Sequence, residues 1–198
     1  MGEPRKRRAN GEESRQRILD AAAEVAGERG YDGTSIAQVS ARCGLPASSI
    51  YWHFKDKDEL IAAVIEQSFV EWMKAFDVTD DDITTLVVRI GKALVETPDF
   101  LRLGLMLTLE RRPQEASARR VFLDVRAKTL ARIREMVREH APGLADRKVE
   151  LLAVYAMAAV DGFFVAVEIG GDAVDLDALF ELHGQVLVDA ARRLTGTS

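Results

Sequence analysis

Apolar residues recur along this chain at intervals of three and four, and the runs are separated by glycine, proline and polar residues able to cap helices. From Ser14 to Arg29 they fall at Ile18, Ala22, Val25 and Ala26, one face of a helix, and Gly30 reads as its stop. Tyr31-Asp32-Gly33 reads as a turn. Thr34 or Ser35 can cap the next helix, with Ser35 and Gln38 at capping-box spacing, and that helix is short because Gly44 follows Cys43. Pro46 suits a helix start, and Ala47 to His53 supply about two turns. Asp56 and Glu59 form a second cap signature. Leu60, Val64, Ile65, Phe69, Trp72, Met73 and Phe76 follow at helical spacing.

The pattern continues. Asp80-Asp81-Asp82 favours a helix N-terminus ahead of a segment reaching about Glu96. Thr97-Pro98 reads as a cap followed by proline in the first turn, opening a helix to about Arg111. Pro113 restarts the chain into a long amphipathic segment that ends near His140, before Ala141-Pro142-Gly143. A largely apolar helix is expected from about Ala145 to Ile169, ending at Gly170-Gly171. Asp175 caps the last helix, with Val174 and Leu179 placed as a hydrophobic staple. No period-two alternation bounded by turns occurs, so the expected fold class is all-α with about nine helices.

Composition changes this picture little. Of 198 residues, 47% are hydrophobic and 30% charged, a globular balance. The single cysteine, Cys43, excludes a disulfide or a cysteine-based zinc site within one chain. His53, His140 and His183 are widely separated, and no metal or cofactor is expected. No signal peptide is read after Arg5-Lys6-Arg7-Arg8, and the longest apolar stretch, Leu151 to Val167, is interrupted by Asp161 and short for a span. A cytoplasmic protein without a membrane partner is the expectation. Net charge is −5, but residues 1–57 carry ten Lys or Arg against eight Asp or Glu, and residues 58–198 seventeen against twenty-four. A slightly basic head on an acidic body suits a small DNA-binding module attached to another domain.

Residues 34–54 place three helix signals in close succession: Ser35 to Arg42, a turn over Cys43-Gly44-Leu45, and Pro46 to His53. That is helix-turn-helix spacing, in which the second helix enters the major groove. Ser40 is small enough for a close helix crossing, and Gly44 can take the positive φ that redirects the chain. Ile36, Val39, Leu45 and Ile50 can fill the core between the helices. Ala47, Ser48, Ser49, Trp52 and His53 then face outward, with Tyr51 at the edge, and no carboxylate occurs from Leu45 through Lys55. Hydroxyls there can bond phosphates or base edges.

Thr34-Ser35-Ile36, Val39 through Leu45, Ser49 through Leu60, and the preceding Arg15 through Ala22 together resemble the DNA-binding domain of TetR-family transcriptional regulators, over roughly residues 12–60. Pro46 and Ser48 depart from the usual family pattern on the groove-facing helix, so no relative's operator sequence transfers. The resemblance implies that Ala47, Ser48, Ser49, Tyr51 and His53 contact DNA from the recognition helix. It implies that Ser35 and Lys57 hold phosphates at helix N-termini. No Arg, Asn or Gln stands on the recognition helix, so methyl contact through Ala47 and DNA shape are expected to contribute to readout. The domains expected are a basic flexible tail at 1–11, the helix-turn-helix domain at 12–57 and a regulatory, dimerising domain at 58–198.

In the last of these, no nucleophile elbow, phosphate loop or metal motif supports catalysis. The segment with Val154, Tyr155, Met157, Val160, Phe163, Phe164 and Val167 is apolar nearly all round, with Ala153, Ala156, Ala159, Gly162 and Ala166 allowing close approach. The last helix carries Leu176, Leu179, Phe180, His183, Leu187, Ala190 and Leu194 on one stripe. Two such helices can pair with their copies, and the resemblance implies a homodimer through the last two helices. Phe100, Met106, Glu110, Phe122, Tyr155, Asp161 and Phe164 are candidate lining for a small-molecule effector site. Asp161 needs a partner, such as an arginine or a cationic ligand group, so an apolar or cationic effector is expected. The expected function is a dimeric, ligand-responsive TetR-like regulator, a repressor in the favoured reading, on a near-palindromic operator. The alternative is an all-α small-molecule binding protein or enzyme with a non-functional DNA module.

Overall fold

The computed structural model describes residues 3–77, 82–110 and 116–196. Among the described residues the chain is all-α: α1 (Glu3–Gly33), α2 (Ile36–Cys43), α3 (Ala47–His53), α4 (Lys57–Met73), α5 (Ile83–Glu96), α6 (Asp99–Leu109), α7 (Ser117–His140), α8 (Asp146–Gly170) and α9 (Leu176–Thr195). One 3-10 turn continues α4 over Lys74–Phe76, and another follows α8 over Gly171–Ala173.

The capping signals act where the sequence puts them. Ser35 accepts from the Gln38 amide at 3.3 Å, Asp82 from the Thr84 amide at 2.9 Å, and Asp175 from the Ala178 amide at 3.0 Å. Gly44 ends α2 with φ of 67°, the left-handed conformation anticipated there.

Three boundaries differ from expectation. The backbone is helical from Glu3, through the stretch read as a flexible tail at 1–11, with a break at Gly30 where φ is 70°. The residues before Ile18 lack apolar periodicity but hold five Arg and three Glu, which favour helix. Thr97 closes α5 instead of opening α6, its hydroxyl donating back to the Ala93 carbonyl at 2.8 Å, and Pro98 precedes α6. Helix α7 starts at Ser117, later than a restart at Pro113. Asp80, Asp81, Arg111 and Pro113 lie outside the described residues, as do the side chains of Arg5, Lys6, Arg7 and Arg8.

The chain forms two compact units: Met1–Phe69 with Pro98–Asp124, and Val70–Thr97 with Val125–Ser198. This division differs from the motif boundary at 57/58, because α6 and the first turns of α7 pack with the N-terminal helices. In the first unit Ile18, Leu19, Val25, Val39, Ile50, Leu60, Ile61 and Ile65 are fully or almost fully buried, joined by Leu101, Leu103 and Leu107 of α6. Ile36 and Leu45, expected in the same core, are half-buried. Gly104 of α6 admits the Phe122 ring so closely that an added Cβ would lie 2.0 Å from it.

In the second unit α5 and α9 approach through two glycines. A Cβ on Gly91 would meet the Phe180 ring at 2.5 Å, and one on Gly184 the Thr84 backbone at 2.8 Å. The Trp72 indole donates to the Ile90 carbonyl at 3.0 Å, satisfying the one polar atom of a buried aromatic. Helix α8 is long and apolar enough, by length and composition, to cross a membrane. It also carries Asp161, whose carboxylate accepts from the two terminal guanidinium nitrogens of Arg126 at 2.7 and 2.5 Å.

Candidate nucleic-acid interface

The turn between α2 and α3 is built from local bonds. The Ser40 hydroxyl donates to the Leu45 carbonyl at 2.6 Å, so Ser40 bridges the turn as well as being small. The Gly44 amide bonds the Ser40 carbonyl at 3.0 Å, and Arg17 of α1 donates to the Cys43 carbonyl at 2.7 Å. Pro46 precedes α3 in extended conformation, and the Phe54 amide closes the helix on the Ile50 carbonyl at 2.9 Å. Ile50 and Phe54 anchor α3 in the core, which turns its other face outward. With only seven residues α3 has little intrinsic stability, so its orientation comes from these anchors.

On that outer face Trp52 is 77% exposed, Tyr51, Ser48 and Pro46 are exposed, and Ala47, Ser49 and His53 are half-exposed. Of the residues expected to contact DNA, Ala47, Ser48, Ser49, Tyr51 and His53 therefore share one short helix. Trp52 stacks edge-on to His53, ring centres 4.5 Å apart, and extends the surface beyond those five. Its position next to Tyr51 on an outward-facing helix is the signal that includes it.

The charges around α3 are arranged unequally. Burial, and then the positive charge of Arg15, hold the His53 ring below its ordinary pKa against a smaller opposing pull from Glu12. His53 is thus a neutral imidazole near pH 7, offering an N–H donor without a full charge. Arg42 at the end of α2 is engaged by Glu24 and Glu28 of α1, both at 2.8 Å, which takes it out of the free positive surface. The Lys57 ammonium donates to the Tyr31 carbonyl at 2.9 Å and lies 4.3 Å from the centre of the Tyr31 ring. It is tethered at the start of α4, with two further N–H donors to give. Ser35 is exposed at the start of α2, accepting from the Gln38 amide and donating to the Gln38 side chain at 2.8 Å.

The candidate effector residues divide between the two units. Phe100, Met106, Glu110 and Phe122 belong to the first unit, and Tyr155, Asp161 and Phe164 to the second. Phe100 and Phe122 are buried packing residues, Phe100 edge-on to Phe69 and Phe122 against Gly104. Glu110 is exposed, and Met106 and Phe164 are half-buried. Asp161 finds in Arg126 the partner that its position in an apolar helix requires, which removes the need for a cationic ligand group there. Tyr155 is 45% exposed, with its ring centre 5.9 Å from that of the buried His183.

The exposed face of α8 is a second distinctive surface. Leu151, Tyr155, Ala158, Gly162, Val165 and Ile169 are all exposed, at alternating spacings of four and three, with exposed Val154 beside them. Ile169 is 83% exposed, and a Cβ on Gly162 would meet nothing within 4 Å. On α9 the outward apolar residues are Leu182 and Val186. Phe180 and His183, expected on the partner-facing stripe, are instead buried, with the rings of Tyr155 and Phe163 beside His183.

Among the described residues, a carboxylate-free second helix after a tight glycine turn has helix-turn-helix geometry. Residues 18–64 match the family of bacterial regulatory proteins described as the tetR family. The chain is similar to the HTH-type transcriptional regulator AcrR of Shigella flexneri, 38% identical over 64 residues, a match spanning 32% of this chain and 30% of that protein's length. It is 25% identical over 170 residues to the HTH-type transcriptional repressor AcnR of Corynebacterium diphtheriae, covering 85% of this chain and 88% of that one. Its fold resembles the transcriptional regulator FadR of Bacillus subtilis solved with stearoyl-CoA, with a TM-score of 0.69, 18% identity and coverage of 88% and 98%. The part of the chain that matches the tetR family is its helix-turn-helix segment.

Proposed function

We propose that this protein is a cytoplasmic, non-catalytic transcriptional regulator, acting as a repressor, that binds a near-palindromic operator as a homodimer and is released by a small molecule. The observation that carries the reading is α3 itself: a short helix anchored by Ile50 and Phe54 that offers hydroxyls, an imidazole and two aromatic rings outward, with no carboxylate. Ala47, Ser48, Ser49, Tyr51 and His53 meet base edges and backbone in the major groove, while Ser35 and Lys57 meet phosphates that set the register. Trp52 joins them on the same face.

The dimer forms through α8 and α9, and the exposed apolar stripe from Leu151 to Ile169 with Ala158 and Gly162 near its middle supports that choice. Small residues there let two copies of α8 approach closely. Two recognition helices roughly 34 Å apart then read successive major grooves on one face of the duplex. The effector enters the C-terminal region, and an apolar compound fits better than a cation, since Arg126 already neutralises Asp161. Helix α4 begins beside the recognition helix and continues into the second unit, so a change in its tilt alters the spacing of the two half-site readers. Release requires the effector to favour the DNA-incompetent state; equal binding to both states shifts nothing.

The test is selection of duplexes from a random pool by the purified full chain at fixed near-physiological salt. Recovery of a two-fold symmetric site supports the regulator. No enrichment by a folded dimer, with or without added cell extract, overturns it in favour of a small-molecule binding protein.

A further inference from the structure

Helix α7 begins without a cap of its own. Its first amides are unpaired by helix geometry, and the residue before Ser117 is Ala116, whose methyl accepts nothing. The cap comes from Asp58, 59 residues earlier, in the first turn of α4. One oxygen of the Asp58 carboxylate accepts from the Ser117 amide at 2.6 Å and from the Ser117 hydroxyl. The other accepts from the Ala118 amide at 3.1 Å and from the Tyr31 hydroxyl at 3.1 Å. Asp58 is free for this because Asp56 and Glu59 cap α4, the Glu59 amide donating to Asp56 at 2.9 Å and the Lys55 amide to Glu59 at 2.7 Å.

The chain of contacts closes on the neighbouring lysine. Tyr31, whose hydroxyl is held by Asp58, supplies both the carbonyl and the ring that hold the Lys57 ammonium. Three segments far apart in sequence thus meet at one carboxylate: the end of α1, the start of α4 and the start of α7.

We propose that Asp58 is a positioning residue for DNA binding: by capping α7 and holding Tyr31, it fixes the first turn of α4 and presents the Lys57 ammonium to a DNA phosphate. The proposal rests on the DNA-binding reading above. Asp58 does not itself touch DNA; it acts through Tyr31 and Lys57, and any displacement of the α7 start is felt at the phosphate-facing turn. Burial pushes the Asp58 carboxyl up, but the bonds from Ser117, Ala118 and Tyr31 outweigh it and hold the group below its ordinary pKa. The carboxylate is therefore charged and fully engaged at neutral pH.

The sign of the effect separates this role from simple electrostatics. A carboxylate near a phosphate-binding lysine repels DNA, so its neutralisation should strengthen binding if only charge mattered. The positioning role gives the opposite sign.

The experiment measures the affinity of full-length wild type, Asp58→Asn, Ser117→Ala, Lys57→Ala and the Asp58→Asn/Lys57→Ala double variant for the selected duplex, across a salt series. Asp58→Asn and Ser117→Ala should each weaken binding about three- to tenfold, up to ~1.4 kcal/mol. The slope of log affinity against log salt should also shallow towards that of Lys57→Ala, by up to about one per protomer. The double variant should be no weaker than Lys57→Ala. Ser117→Ala keeps the test standing if Asp58→Asn folds poorly, since it removes no charge.

Unchanged or tighter binding by both single variants overturns the proposal. So does weaker binding with an unchanged salt slope, which marks a smaller folded fraction and not a displaced lysine. A wild type that enriches no duplex overturns the DNA-binding reading and takes this inference with it.

Discussion

Two exposed surfaces of this protein carry aromatic or apolar side chains, and they are built in opposite ways. On α3 the exposed residues are Ser48, Tyr51 and Trp52, amphipathic or polar groups on a helix of seven residues with no carboxylate. On α8 they are Leu151, Val154, Tyr155, Val165 and Ile169, spread along a helix of 25 residues. The first surface keeps hydrogen-bonding atoms beside every ring, which suits a wet, charged and grooved partner. The second offers a continuous apolar stripe with small residues at its middle, which suits another helix. Exposure alone does not distinguish them; the polar atoms carried with the exposed carbon do.

The comparison breaks most readily at α8. Ala158→Glu places a carboxylate in the middle of the apolar stripe, and an unpaired buried charge costs about 3–5 kcal/mol. Sedimentation should show dissociation to monomers with helix content retained, and operator affinity should fall with it because the half-sites are no longer linked. A dimer that survives the substitution moves the interface elsewhere.

The complementary substitution is Tyr51→Ala. It should lower operator affinity by about 1–3 kcal/mol, roughly ten- to a hundredfold, while sedimentation still shows the dimer. Loss of the dimer would make Tyr51 structural and erase the contrast between the two surfaces.

Smaller effects sharpen it. Ser35→Ala removes the α2 cap and should cost about 1 kcal/mol of stability, read by thermal unfolding. If Ser35 also holds a phosphate, operator affinity falls by more than the folding loss explains.

The smallest expected effect is a pH dependence near α9. Burial holds His183 below its ordinary pKa, against a weaker opposing bond from the Ala156 backbone. The unfolded chain takes up this proton first as pH falls, so the contribution is complete above about pH 6.5 and stability declines below it, towards the folded-state pKa. In chemical denaturation from pH 7.5 to 5, His183→Gln should lose less stability on acidification than wild type. Equal slopes would show that other groups control this range.

The helix-turn-helix was legible because its signals are local. Ser35 with Gln38, Gly44 after Cys43, and Asp56 with Glu59 act within four residues of one another, and each forms the bond its spacing requires. The start of α1 was missed for a related reason. Apolar periodicity is the signal that was read for a helix, and the sequence of residues 3–13 carries none.

Long-range assignments were harder. Asp161 visibly needed a partner, but nothing near it in sequence names Arg126, 35 residues away. Phe100 and Phe122 have the size of ligand-lining residues and are buried, with Phe69 and Gly104 the groups opposite them. On α9 the apolar stripe was found, but its inward and outward members were not separated. Phe180 and His183 turn inward because Gly91 and Gly184 let α5 approach, and Leu182 and Val186 are left outside.

By itself the sequence determined the helices, their caps, the tight turn and the polar-aromatic character of α3, all consequences of backbone geometry and side chains within about one helical turn. Only the tertiary structure decided which apolar faces stay uncovered, that Lys57 is tethered to Tyr31, and that Asp58 caps a helix beginning 59 residues later. A periodic pattern says that a face must be buried, while the packing of the other helices decides against what. A carboxylate's partners across such a chain separation leave no mark in either local sequence.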